Sequence, residues 1–166
     1  MTLLRVSQCT ISRNLEGIEK AVKWLNDPDV NKYLEARNQL WDTERWQRWY
    51  REQKVKGRII FWILSEEEIV GTLALGPLED KNAAIGLMVG KEHWGKGIGT
   101  KAIEEAAEYA FGKLGLHKVW AGVLSENTHS VRSFERAGFS IEGILRQNRR
   151  WGEGWCDEIR VARIGR

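Results

Sequence analysis

Cysteine and proline are scarce, at two each in 166 residues. Cys9 and Cys156 sit near opposite ends of the chain, so they offer no disulfide framework. With no secretory pattern in Met1-Thr2-Leu3-Leu4-Arg5, they are expected to be reduced thiols in the cytoplasm. No apolar run approaches the ~18 residues of a membrane span, so no membrane partner is expected. Charge of one sign is lacking too: 26 Lys+Arg face 23 Asp+Glu, a net +3. That is far short of a nucleic-acid footprint but compatible with an anionic small ligand. His93, His117 and His129 are never three or four apart and neither cysteine neighbours another, so no metal site is expected. There is no G-x-S-x-G elbow, and His129 and Ser130, adjacent on a helix, do not face each other. Hydrolase chemistry is thereby disfavoured.

What is present is globular composition: 42% hydrophobic and 30% charged residues. The length suits one domain that buries roughly 70% of its unfolded surface without staples. Nine tryptophans are unusual and imply a large aromatic core or an aromatic-lined pocket.

The pattern alternates helices and strands. Leu3 to Ser7 reads as a strand, and Leu15, Ile18, Val22 and Leu25 form one helical stripe stopped by Asn26-Asp27-Pro28. Thr43 to Gln53 carries Trp46, Trp49 and Tyr50 at helical spacing. Ile59 to Leu64 and Ile69 to Leu75 flank the turn Glu66-Glu67-Glu68 as a hairpin, and Ala83 to Val89 is a further strand. Ile98, Ala102, Ile103, Ala106, Ala110, Phe111 and Leu114 mark a long amphipathic helix with Gly112 and Gly115 at its end. Val119 to Leu124 is a strand, and Asn127 caps a helix that Gly138 ends. Phe139 to Leu145 and Trp155 to Ile164 are the final strands. The fold class expected is α+β, with a mainly antiparallel sheet flanked by helices. Trp62 and Trp120 read as core, whereas Trp41, Trp46 and Trp49 either pack in the core or line an acceptor pocket.

The most informative stretch is Val89-Gly90-Lys91-Glu92-His93-Trp94-Gly95-Lys96-Gly97-Ile98-Gly99-Thr100. A strand ends, glycines alternate at 95, 97 and 99, and the longest helix begins. Glycine lets the backbone turn sharply and come close to a ligand. The first helical N–H groups lack internal partners, and with the helix dipole they suit a phosphate or pyrophosphate. Three phosphate-binding readings compete. Gly90-x4-Gly95-Lys96 opens like a nucleotide-triphosphate loop, but Gly97 replaces the Ser or Thr that holds magnesium. Gly97-x-Gly99-x-x-Ala102 fits a dinucleotide fingerprint, but about 20 residues on stand His117 and Lys118 rather than an acid for the ribose.

The third reading adds Asn127-Thr128-His129-Ser130, followed by Ala137-Gly138-Phe139 and Glu142-Gly143. In this order, with the glycine loop, the chain resembles the GNAT superfamily of acetyl-CoA-dependent N-acetyltransferases. Trp24-Leu25-Asn26-Asp27-Pro28-Asp29-Val30 and Trp155-Cys156-Asp157-Glu158 are similar to the branch of ribosomal-protein N-terminal and amino-sugar acetyltransferases. The resemblance implies one acetyltransferase domain over residues 1–166. Its sheet would have six to seven strands with a splayed central pair.

The resemblance also implies a site. Leu87, Met88 and Val89 would pair with the pantetheine arm, the Val89 N–H donating to the thioester oxygen. Trp94, Gly95, Lys96, Gly97, Ile98, Gly99 and Thr100 would form the pyrophosphate loop. Asn127 would bond the arm, and Lys101, Arg132 and Arg136 would meet the ribose phosphate. Many members carry a Tyr acid where this chain has Phe134, and some a Glu base where it has Ala84 or Gly122. Ser130 is then the expected proton donor to the thiolate, within the cofactor site, and Glu35 the expected base. The acceptor is expected to be a small-molecule or peptide amine. A non-catalytic coenzyme A sensor or scaffold is the alternative. An exposed strand edge or Trp patch would support a homodimer.

Overall fold

The computed structural model describes residues 4–8, 15–34 and 39–165. Strand β1 (Leu4–Gln8) precedes helices α1 (Leu15–Asn26), α2 (Pro28–Asn31) and α3 (Thr43–Val55). Strands β2 (Ile59–Ser65), β3 (Glu68–Glu79) and β4 (Asn82–Val89) lead to the long helix α4 (Ile98–Gly112). Then come β5 (Lys118–Leu124), α5 (Thr128–Arg136), β6 (Ser140–Trp151) and β7 (Gly154–Ile164). The seven strands form one sheet in the order β1-β2-β3-β4-β5-β7-β6, antiparallel except between β4 and β5. This is the mixed, mainly antiparallel α+β sheet expected.

The stop at Asn26-Asp27-Pro28 also starts a short helix that was not expected. Asp27 caps α2 through the Asp29 N–H, with Pro28 at its first turn, and Asp42 caps α3 through the Arg45 N–H. Several boundaries differ, among them β3, which runs past the expected Leu75 to Glu79, and α3, which runs past Gln53 to Val55. Strand β6 runs six residues beyond the expected Leu145, because a register shift between Leu145 and Arg149 restarts its pairing with β7. Gln147 takes φ +50 there, and its N–H donates to Asp157 Oδ1 at 2.8 Å. Helix α4 ends at Gly112, short of Leu114.

Alternation along the strands sends side chains to two cores. On one face, Ala102, Ala106, Ala107 and Ala110 bring α4 close to the sheet over Phe61, Leu73, Ile85 and Val119, and α5 adds Val131 and Phe134. On the other face, α1 and α3 cover β2 and β3. Here Trp46 stacks on Trp62 at 5.5 Å and Trp24 is buried beside them. Burying one such ring stabilises the fold by about 4–6 kcal/mol as an upper estimate. Trp46 is therefore a core residue rather than lining for a pocket, whereas buried Trp41 and half-buried Trp49 pack against the core and also line an open cavity with Leu40, Arg45 and Arg48. Trp120, expected in the core, is only half-buried, because it faces the stretch of sheet that α1 and α3 leave open.

Candidate functional site

The parallel pairing of β4 and β5 lasts only from Asn82↔Lys118 to Ala84↔Trp120. Beyond it the strands part, yet each keeps its outer partner: β4 pairs with β3 to Val89, and β5 with β7 to Leu124. The expected splay is present. Antiparallel pairs alternate between bonded and non-bonded types. Gly90 N–H donates to the Val70 carbonyl at 2.9 Å, so Met88 bonds β3 while the backbone polar groups of Leu87 and Val89 point into the gap. The Val89 carbonyl there accepts from Trp94 Nε1 at 2.8 Å, which leaves its N–H facing the opening. The Leu87 side chain packs toward α4, and Met88 is buried on the opposite face.

A single 3₁₀ turn, Lys91–His93, carries the chain from β4 to the glycine loop. Gly95 and Gly97 have φ +74 and +73, a left-handed conformation that a side chain resists, and a Cβ on either would meet open space. Trp94 N–H bonds Lys91 O, and Lys101 N–H bonds Gly97 O. Between them, the amides of Gly95, Lys96, Gly97, Ile98, Gly99 and Thr100 have no partner among the described residues. Gly97 caps α4 without a side-chain bond. The result is a row of free donors at the positive end of a 15-residue helix, suited to an oxyanion.

The rest of the loop is held from below. Trp24 of α1 donates to Glu92 Oε1 at 3.1 Å, and a Cβ on Gly90 would come within 2.5 Å of its ring. Backbone hydrogen bonding keeps the Glu92 carboxyl below its ordinary value, outweighing burial, and Trp24 helps. Lys91 pairs with Asp29, and Lys96 Nζ donates to the Glu92 carbonyl. Trp94 is 47% exposed at the lip.

On α5, Asn127 Oδ1 accepts from the Ser130 N–H at 3.2 Å, so the cap reading of Asn127 holds and its amide NH2 is left over. Ser130 is half-buried and its hydroxyl makes no hydrogen bond among the described residues. Phe134 lies in the core against Phe139 at 5.1 Å. Arg132 and Arg136 are exposed, and Lys101 pairs with Glu104. Glu35 lies outside the described residues. No metal-binding group of His, Cys, Asp and Glu exists among the described residues.

Sequence reasoning missed the other lip of the gap. Glu158 on β7 is 1% exposed. A Cβ at Gly122 would lie 2.6 Å from its Cδ, so the carboxylate occupies the space that glycine vacates on β5. Oε2 accepts from Arg149 Nε at 2.5 Å and Asn148 Nδ2 at 3.2 Å, and Oε1 from Arg160 at 2.8 Å. Burial pushes the carboxyl up, but the two guanidiniums outweigh it and hold it below the ordinary glutamate range. Arg160 lies 4.0 Å over the Trp120 ring. Two-residue spacing along β5 and β7 puts Trp120, Gly122, Glu158 and Arg160 on one face, which was the available signal. Tyr33, just after α2, stacks on Trp151 at 5.4 Å and ties that segment to the β6–β7 tip.

Comparison with known proteins agrees with this geometry. Over 98 residues the chain is 41% identical to the probable N-acetyltransferase YjcK of Bacillus subtilis, covering 56% of this chain and 53% of that one. It thus spans about half of that relative. The spermidine N-acetyltransferase of Vibrio cholerae, solved with CoA and spermine, superposes with a TM-score of 0.84 at 20% identity, over 97% of this chain and 95% of that one. The ribosomal L7/L12 acetyltransferase RimL, solved with CoA, gives 0.84 at 18% identity, over 99% and 96%. At such identities the two structures establish a shared fold. The family model for the acetyltransferase (GNAT) domain matches residues 13–140, where the splayed strands, the glycine loop and α5 all lie, and on that match the chain belongs to the GNAT acetyltransferase family.

Proposed function

We propose that residues 1–166 form one acetyl-CoA-dependent N-acetyltransferase domain acting on a primary amine by direct attack in a ternary complex. The observation that carries this reading is the row of unpartnered amides from Gly95 to Thr100, beside strands that part after Ala84. A pyrophosphate fits these donors, and an extended arm fits the gap along Leu87, Met88 and Val89. Acetyl-CoA supplies the activated acyl group and a thiolate leaving group.

The chain supplies the rest. The loop amides and Lys96 fix the diphosphate, with Trp94 and Ile98 shaping the loop. The free NH2 of Asn127 reaches the arm while its oxygen caps α5. Arg132 takes the ribose phosphate. The Val89 N–H stabilises charge developing on the carbonyl oxygen. Ser130, whose hydroxyl is uncommitted, protonates the departing sulfur. Glu35 is the proposed base. Glu158 is a poor base, because three donors occupy its oxygens. The buried free thiol of Cys156 is consistent with a reducing cytoplasmic setting.

Calorimetry tests the donor: micromolar acetyl-CoA binding is expected, and weaker binding for Gly97→Glu. Thiol release over a panel of amines tests the reaction. Binding with no release above the blank for any amine would favour a coenzyme A sensor instead.

A further inference from the structure

We propose that Arg160 is the anion-recognising residue of the acceptor site, so that the acceptor amine carries a carboxylate or phosphate group. The proposal rests on the acetyltransferase reading above and names its substrate class.

Ala84 of β4 and Gly122 of β5 share the face opposite α4, because Ala84 and Trp120 are register partners and Gly122 lies two residues beyond Trp120. Gly86 follows on the same face of β4 and is exposed. Ala84 and Gly86, the latter with nothing within 4 Å of where a Cβ would sit, leave depth beside the gap where the thioester would lie, whereas Glu158 fills the space over Gly122. Arg160 stands at its edge, cross-strand from Gly122. Its guanidinium is held from two directions: Trp120 lies beneath it at 4.0 Å, and Glu158 Oε1 accepts from one terminal nitrogen at 2.8 Å. A guanidinium stacked and hydrogen-bonded in this way is pre-organised, so little freedom is lost when it meets an anion.

The terminal nitrogen of Arg160 that Glu158 does not hold has no hydrogen-bond partner among the described residues, while Nε is buried away from the gap. Glu158 does not compete for a cationic acceptor, since both its oxygens already accept bonds. The charged guanidinium of Arg160 disfavours a polycation and favours an acceptor with an anionic group beside its amine. The terminal nitrogens of Arg160 present the N–H groups not taken by Glu158 to a carboxylate or phosphate.

Matched probes test this on the protein saturated with CoA. Glucosamine 6-phosphate is compared with glucosamine, and a free amino acid with its amide, by calorimetry. The anionic member of at least one pair should bind about tenfold tighter. Arg160→Gln should abolish that preference and Arg160→Lys retain part of it. The wild-type comparison stands even if a variant folds poorly. Equal affinities within both pairs, tighter binding of the uncharged or cationic members, or no binding by either anionic probe would each overturn the proposal. Acetyl-CoA affinity is measured on the same samples. Its presence with no anion preference removes only the role of Arg160, whereas its absence removes the acetyltransferase reading as well.

Discussion

Around the gap between β4 and β5, the loop at residues 94–100 offers backbone amides, whereas the opposite lip offers the side chains of Arg149, Glu158 and Arg160. The first is built from neighbours in sequence: a strand end, two glycines at positive φ and a helix start. The second is gathered from β5, β6 and β7 across a register shift. A backbone site tolerates many side chains but few conformations. A side-chain site tolerates the reverse, and so it is where relatives of one fold can diverge in acceptor.

The largest effect that would sharpen this contrast is expected at Val89. Its N–H faces the gap and takes no part in the β3 ladder, so Val89→Pro removes a donor without breaking the pairing. If that amide meets the carbonyl oxygen, kcat should fall about 10²–10³-fold. Circular dichroism should show an unchanged fold.

Gly97→Glu comes next, with acetyl-CoA affinity expected to fall about a hundredfold by calorimetry, since it sets a negative charge against the phosphates. Gly97→Ala separates strain from charge. It shares the penalty at φ +73 and should lose far less affinity. Equal losses would mean that conformation, not charge, governs the loop.

Ser130→Ala should lower kcat about 10–100-fold with acetyl-CoA affinity unchanged, read by steady-state kinetics beside calorimetry. On the side-chain lip the change is in stability. Gly122→Ala puts a methyl 2.6 Å from Glu158 Cδ and should destabilise the fold by about 1–3 kcal/mol in urea melts. The same methyl at exposed Gly86, where nothing lies within 4 Å, should change stability little.

The smallest effect is with pH. The Glu158 carboxyl lies below its ordinary value when folded, so its contribution is present above the unfolded value of about 4.3 and lost as pH falls through the folded one. Thermal melts of wild type and Glu158→Gln should differ by a constant amount from pH 7 down to about 5 and converge in more acid solution.

This difference between the lips also governs how much could be read from sequence. The glycine loop was legible because glycine at 95 and 97 before a helical stripe has few other uses, and the splay followed from the family resemblance. Asn127 was legible as a cap because capping is local. The Glu158 cluster was not, since Gly122, Asn148, Arg149 and Arg160 meet it only through pairing of β5, β6 and β7. The last six residues of β6 were hidden by charge without alternation and by Gln147 at positive φ, a conformation sequence assigns to glycine. The division of Trp41, Trp46 and Trp49 between core and pocket was not legible, because aromatic spacing on a helix gives a face, not what covers it. The stacking of Trp46 on Trp62 decides that.

Amide resonances of the loop test the bare-donor claim most directly. In ¹⁵N–¹H spectra, titration with CoA should move the Gly95, Gly97 and Gly99 amide protons downfield and saturate at one equivalent. Saturable CoA binding that leaves those three glycine signals in place would contradict it.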